Sequence, residues 1–132
     1  MFLNQLTSPE KEAFVSLAVH AANANGIADE AEYEMIEEYC KEMGIAFFNA
    51  NNVIDLDKII DVFKDAEGKH KKIVILEILG LLHADGNYDE KEKTFVSEYA
   101  KKIGLNDSDV EMQSALIDKY IELVKEMYDA IQ

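Results

Sequence analysis

The chain has 132 residues, of which 48% are hydrophobic and 30% are charged, a composition typical of one folded domain. Its 27 acidic residues outnumber its 13 basic residues and give a net charge of −14. This charge excludes nucleic acid as an expected partner, because phosphates would be repelled, and it favours divalent cations or a basic protein surface.

No segment of the sequence predicts export or membrane insertion. The start, MFLNQLTSPEKEA, lacks the basic region and the long apolar core of a signal peptide. The most apolar stretch, at 73–84, is too short to span a bilayer and contains Glu77. The single cysteine, Cys40, fits a reducing compartment. We therefore predict a cytoplasmic protein that does not insert into a membrane.

Apolar residues recur at helical spacing along the chain, and no alternating pattern predicts a strand. Ser8 and Pro9 are typical of a helix start, with Ser8 as the N-cap, and this first helix is expected to run to about residue 25. The segment at about 70–84 is apolar on nearly all sides, which predicts a central helix. Further helices are expected after Asp29, near 55–65, after Asp89 and over 108–131.

Residues 24–45 align without a gap on residues 84–105, and nine of the 22 aligned positions are identical. We interpret this as an internal duplication, with repeat one at 10–45 and repeat two at 70–105. The predicted fold is all-α: a single domain, 1–132, forming a compact bundle of about six to seven helices built from two pseudo-twofold-related helix–corner–helix repeats.

An acidic corner separates the two helices of each repeat. In repeat two it offers hard oxygen ligands, which calcium and magnesium prefer: Asp85, Asp89 and Glu92. The first copy of the site is predicted to be weaker because an asparagine replaces the first aspartate: Asn25, Asp29 and Glu32. The spacing differs from that of an EF-hand loop, which needs its glycine at position six and its glutamate at position twelve.

The same residues also have the spacing of helix caps. Asp29 with Glu32, and Asp89 with Glu92, match the capping box, in which the two residues exchange hydrogen bonds. Both glutamates fall on the inward stripe of their helices, where a carboxylate needs partners. A cap or a bound cation would each supply them, and the sequence leaves both open.

Residues 29–43 carry seven acids and one lysine. Four of these acids form a predicted partner face for a basic protein surface: Glu34, Glu37, Glu38 and Glu42. Successive like charges four residues apart destabilise a helix slightly, which a basic partner would relieve. The alternative is a solvated face without a partner.

The sequence gives little support for an enzyme. Cys40 falls on the inner stripe of an acidic helix, where its thiol pKa would be raised. The three histidines, His20, His70 and His83, lack metal-ligand spacing. Oligomeric state and the identity of any partner are not determined by the sequence.

The pattern A-D-G-x-x-x-x-x-E at 84–92, after an apolar helix and with a degenerate copy earlier in the chain, resembles the TerB-like tellurite-resistance family over about 10–131. The resemblance implies an all-helical domain associated with bacterial tellurite resistance and stress response, without enzymatic activity and with metal binding at the acidic corner. Asp85 and Glu92 match the family's Asp and Glu; Glu32 alone matches in the first copy.

Overall fold

The structure is a computed structural model that describes residues 1–26, 28–46, 53–84 and 86–132. Within these residues the chain forms a 3₁₀ turn at Leu3–Gln5 and six α-helices, with no strand. The helices are α1 (Ser8–Ala22), α2 (Glu30–Met43), α3 (Leu56–Lys64), α4 (Gly68–His83), α5 (Glu90–Lys102) and α6 (Asp107–Ala130). The predicted all-α helical bundle is confirmed.

The start of α1 differs from the prediction by one residue. Thr7, not Ser8, is the N-cap: its hydroxyl accepts a hydrogen bond from the Glu10 N–H at 3.4 Å. The Glu10 carboxylate in turn accepts one from the Thr7 N–H at 2.8 Å. Thr7 stands three positions before a glutamate, and this capping-box spacing selects it over Ser8.

Helix α4 is the centre of the bundle, as its apolar sequence predicted. It packs against all five other helices. Leu79 is fully buried, and so are most apolar residues around the helix. Full burial of such a side chain stabilises the fold by about 1.5–3 kcal/mol relative to exposure, so α4 supplies much of the stability on which both corners depend.

The two repeats share their corner geometry. Gly26 and Gly86 both have positive φ, which glycine adopts without a Cβ penalty. Each donates its N–H to the carbonyl three residues earlier, Asn23 or His83, at 3.0 Å. The predicted repeats therefore turn alike at this point, and the twofold rotation between whole repeats stays a prediction.

Helix α6 is the longest helix, and only its first half packs on the bundle. Val110, Gln113 and Ile117 are its buried residues, and none after Ile117 is buried. Neither α6 nor any other helix in the described residues combines the length and apolar character needed to cross a membrane.

Candidate functional site

The first corner is fixed by the side chain of Asn23, which ends α1 earlier than the expected residue 25. Its Nδ2 donates to the Val19 carbonyl at 2.9 Å, and its Oδ1 accepts from the Ala28 N–H at 3.2 Å. An asparagine that bonds both the last turn of a helix and the following chain competes with further helix formation. The chain therefore leaves α1 at Ala22 and turns toward Asp29.

Both predicted capping boxes are present. The Asp29 carboxylate accepts from the Glu32 N–H at 2.8 Å, and Glu32 accepts from the Asp29 N–H at 3.2 Å. The corresponding distances for Asp89 and Glu92 are 2.9 Å and 3.1 Å. These bonds satisfy backbone N–H groups that the start of a helix leaves without intrahelical partners.

Glu32 and Glu92 point into the protein, as their place on the inward stripe predicted. Glu32 is 3% exposed and Glu92 is 0% exposed. Burial of a carboxylate is costly unless hydrogen bonds or charges compensate it. Each corner therefore carries one carboxylate that is held inside the protein by its capping box.

A contact that the sequence did not predict joins the two corners. Nδ2 of Asn25 donates to Oδ2 of Asp89 at 3.2 Å. The Oδ1 atom of Asn25 is buried and has no hydrogen-bond partner among the described residues. The backbone hydrogen bond from Glu92, aided by the Asn25 amide, lowers the pKa of the Asp89 carboxyl. Asp89 is thus an ionised carboxylate of the second corner that also contacts the first corner through Asn25.

The remaining predicted ligand, Asp85, lies outside the described residues. Within the described parts of the chain, no three His, Cys, Asp or Glu side chains are gathered closely enough to hold a metal ion. A cation site at Asp85, Asp89 and Glu92, with its weaker copy at Asn25, Asp29 and Glu32, therefore stays a prediction. It depends on Asp85 to complete the ligand set.

The four acids of the predicted partner face do not share one environment. Glu34 and Glu38 are exposed, and Glu38 forms an ion pair with Lys41 at 3.2 Å. Glu37 is half-buried. Glu42 is exposed but forms an ion pair with the Met1 ammonium, so fewer of the four carboxylates are available to a partner than predicted.

Two glutamates bind the start of the chain, an arrangement that sequence reasoning missed. The Met1 ammonium lies 2.9 Å from Glu42 Oε1 and 2.8 Å from Glu77 Oε1. The N–H groups of Phe2 and Leu3 donate to Glu77 and Glu42 at 2.8 Å and 3.0 Å. These partners are 39 to 75 residues apart in sequence, so no local pattern could indicate them.

His83 is the centre of a second polar cluster that the sequence did not predict. Its Nδ1 lies 2.7 Å from the Leu79 carbonyl oxygen, and its Nε2 lies 3.3 Å from Ser114 Oγ and 3.5 Å from Asp118 Oδ1. The Tyr88 ring packs on the imidazole with a centroid separation of 4.2 Å. Burial, with Glu92 and Glu90 nearby, raises the pKa of Tyr88 to about 12.

The hydroxyl and imidazole of this cluster resemble a nucleophile with its base, but the surroundings do not suit acyl transfer. Ser114 lies inside α6, where backbone N–H groups are used in helical hydrogen bonds. Acyl transfer needs N–H donors directed at the developing oxyanion. The geometry instead describes a buried histidine whose ring is oriented by a carbonyl, a hydroxyl and an aromatic ring.

Comparison with known proteins finds no match among curated proteins and none among solved structures. A family model does match: that of the tellurite resistance protein TerB, over residues 11–115. The matched segment includes both corners and all of α2 to α5. It covers most of the chain and agrees with the resemblance carried in the sequence by Ala84, Asp85, Gly86 and Glu92. The chain therefore belongs to the TerB family of tellurite-resistance-associated domains.

Proposed function

We propose that this chain is a non-enzymatic TerB-family domain that binds a divalent cation, calcium or magnesium, in the cytoplasm, in a role linked to tellurite resistance or stress response. The ligands would be Asp85, Asp89 and Glu92. The observation that carries the proposal is the Asn25–Asp89 hydrogen bond, because it brings the Asn25 side chain, with its buried Oδ1 atom, next to Asp89 of the second corner.

The surroundings of Asp89 would benefit from a cation. Asn25 Oδ1 is a buried oxygen without a hydrogen-bond partner in the described residues, and such an atom costs about 1–3 kcal/mol. Glu92 is a buried carboxylate beside the ionised Asp89. Carboxylates that share a site repel one another, and a divalent cation removes that repulsion while accepting oxygen ligands.

The same geometry explains why the second corner is the better candidate. Asn25 stands where repeat two has Asp85, so the first corner carries one negative charge less. Its amide also donates to Asp89, which makes Asn25 part of the environment of the second corner. We therefore expect one cation at the second corner, supported by Asn25, in preference to two equivalent ions.

Thermal unfolding in calcium or magnesium, compared with NaCl at matched ionic strength, tests this function. Saturation at 100 times the dissociation constant should add about 2.7 kcal/mol beyond the effect of salt. Asp85→Asn and Asp89→Asn should each abolish this excess. The second change keeps the helix cap, because asparagine caps helices as well as aspartate does.

Two matched variants separate a cation site from helix capping and from bulk charge. Asp29→Asn changes the equivalent cap in repeat one and should leave the excess stabilisation unchanged. Asp109→Asn changes the acidic residue of the capping box at the start of α6, where Asn106 is the N-cap, and should also leave it unchanged. Equal responses of Asp89→Asn and wild type to divalent cations would show that the corner is only a helix cap.

An acidic interaction module without a metal site is the alternative function. Glu34 and Glu38 are exposed on α2 and support it, although a basic surface would have to compete with Lys41 for Glu38. Docking through these residues and a cation at Asp89 are compatible, since they use different parts of the molecule.

A further inference from the structure

The second half of α6 carries a large apolar surface that the bundle does not cover. Seven of its large apolar side chains are between 38% and 79% exposed: Leu116, Tyr120, Ile121, Leu123, Met127, Tyr128 and Ile131. Met112, one turn earlier, is 57% exposed. Single exposed apolar residues are normal, but a contiguous group on one helix marks an interaction surface.

The sequence of this segment separates apolar and charged residues completely. From Leu116 to Ile131 every residue is either apolar or charged, and both kinds repeat with a period of seven. The charged positions are Asp118, Lys119, Glu122, Lys125, Glu126 and Asp129. Four of every seven positions are apolar, which is wider than the two-position seam of a two-stranded coiled coil. The bundle buries Ile117 and half-buries Val124, which leaves the rest of this stripe exposed.

A groove of about 430 Å³ lies directly beside this face. Ile117, Tyr120 and Ile121 of α6 form one wall, and residues of α2 and α4, among them Met35 and Leu76, form the other. The exposed ridge of α6 and an apolar groove are thus neighbours on one surface. A surface that contains both a ridge and a groove can be complementary to itself across a twofold axis.

We infer that α6 is the interface of a homodimer in which the ridge of each copy occupies the groove of the other. We call this surface, Met112 to Ile131 with the groove beside it, the α6 face. The exposed apolar side chains amount to roughly 800 Å² on each copy, which is one partner's share of a standard stable interface. The family match ends at residue 115, so most of the exposed apolar residues of α6 lie beyond the matched segment, while the α2 and α4 residues that line the groove lie within it.

The charge distribution around α6 argues against two other occupants. A basic protein would find no carboxylate on the apolar side of α6, because all acids from 116 to 131 lie on the opposite side, and the two glutamates that line the groove, Glu42 and Glu77, bind the Met1 ammonium. Membrane-surface helices carry lysine and arginine on their polar side. Here that side has four acids and two lysines, in a chain of net charge −14, so an anionic lipid surface would repel it.

Sedimentation analysis of the intact chain tests the inference over a concentration range from about 10 nM to 200 μM, because interfaces of this size have dissociation constants from micromolar downward. Wild type should shift from monomer to dimer with rising concentration. The dimer should strengthen as salt rises, because salt screens the repulsion between two acidic copies. Leu123→Glu should raise the dissociation constant at least about tenfold, since it places a charge at the centre of the face.

Ala115→Glu is the matched control, because it adds the same charge to the same helix at an exposed position in register with Glu122 and Asp129. It should dimerise like wild type. Circular dichroism should show both variants folded, since neither position is buried. Monomeric wild type at every concentration, or unchanged dimerisation of Leu123→Glu, would overturn the inference. If wild type stays monomeric and co-sediments with phosphatidylserine vesicles, the inference is overturned in favour of a membrane surface.

Discussion

Glu77 shows how one carboxylate can connect distant parts of this chain. It is buried on α4, and it accepts hydrogen bonds from the Met1 ammonium and the Phe2 N–H, both at 2.8 Å. Its own backbone carbonyl accepts a hydrogen bond from the Tyr39 hydroxyl at 3.2 Å. One residue of the central helix therefore holds the start of the chain and a core tyrosine of α2.

This contact predicts a change of stability with pH. Burial alone would lower the pKa of the Met1 amine, but hydrogen bonds to Glu77 and Glu42 outweigh it and raise the pKa above 8.0. A group whose pKa is raised by folding stabilises the protein below its unfolded pKa and loses that contribution as pH rises through the folded value. Stability should therefore decline from about pH 8 upward.

Urea denaturation of wild type and Glu77→Gln at about pH 7 and pH 9.5, below the ordinary tyrosine pKa, measures this effect. Glutamine keeps an acceptor for the Phe2 N–H but removes the charge. The variant should be less stable than wild type at the lower pH, and the difference should shrink at the higher pH. If both proteins lose the same stability between the two pH values, the pH effect does not come from the contact between the Met1 amine and Glu77.

At this scale the sequence could predict contacts between neighbours but not between distant residues. The capping boxes of Asp29 and Asp89 were predictable because both partners lie three positions apart on one helix turn. The inward direction of Glu32 and Glu92 followed from their helical spacing to buried residues. The Asn25–Asp89 bond joins residues 64 apart, and only the packing of α1 against α5 creates it.

At the scale of elements, periodicity located every helix, while the boundaries depended on individual side chains. The expected short helix near 55–65 is Leu56–Lys64, and the expected C-terminal helix over 108–131 is Asp107–Ala130. The first helix ends three residues before the expected position because Asn23 bonds both Val19 and Ala28. Such side-chain competition with the helix has no signal in hydrophobic periodicity.

The central position of α4 predicts a large difference between core and surface substitutions. Leu79→Ala should cost about 2–5 kcal/mol, because it removes a fully buried side chain and leaves a cavity. Glu38→Gln should change stability by less than about 0.5 kcal/mol, because its ion pair with Lys41 is well exposed. Similar shifts of the denaturation midpoint from wild type in both variants would show that the helix faces are assigned wrongly.

At the scale of the whole molecule, charge and apolar surface are placed in different regions. The acidic residues of α2 and the acidic corners lie in the family-matched segment, whereas most of the exposed apolar residues of α6 lie beyond it. Net charge was readable from composition, but the uncovered half of α6 was not. Its apolar pattern is that of any buried helix, and only the structure shows that the bundle ends before the helix does.

We predict that Glu34, Glu37 and Glu38 on α2 bind a basic surface. This binding should depend on these residues and not only on the net charge of the protein. A ten-residue lysine peptide is a suitable probe, with affinity measured by calorimetry at low and physiological salt. Changing Glu34, Glu37 and Glu38 together to Gln should weaken binding about tenfold, the sum expected for a few exposed ion pairs. Binding should also fall steeply with salt, because exposed charges are screened within about 8–10 Å.

Glu42 is kept in this variant because it binds the Met1 ammonium, and its loss would alter the fold as well as the face. The matched control changes Glu111, Glu122 and Glu126 of α6 to Gln, which removes the same number of charges from a different exposed surface. It should retain most of the affinity if α2 is the docking site. Equal loss in both variants would mean that the peptide responds only to the net charge of −14, and the acidic interaction function would then have no support from α2.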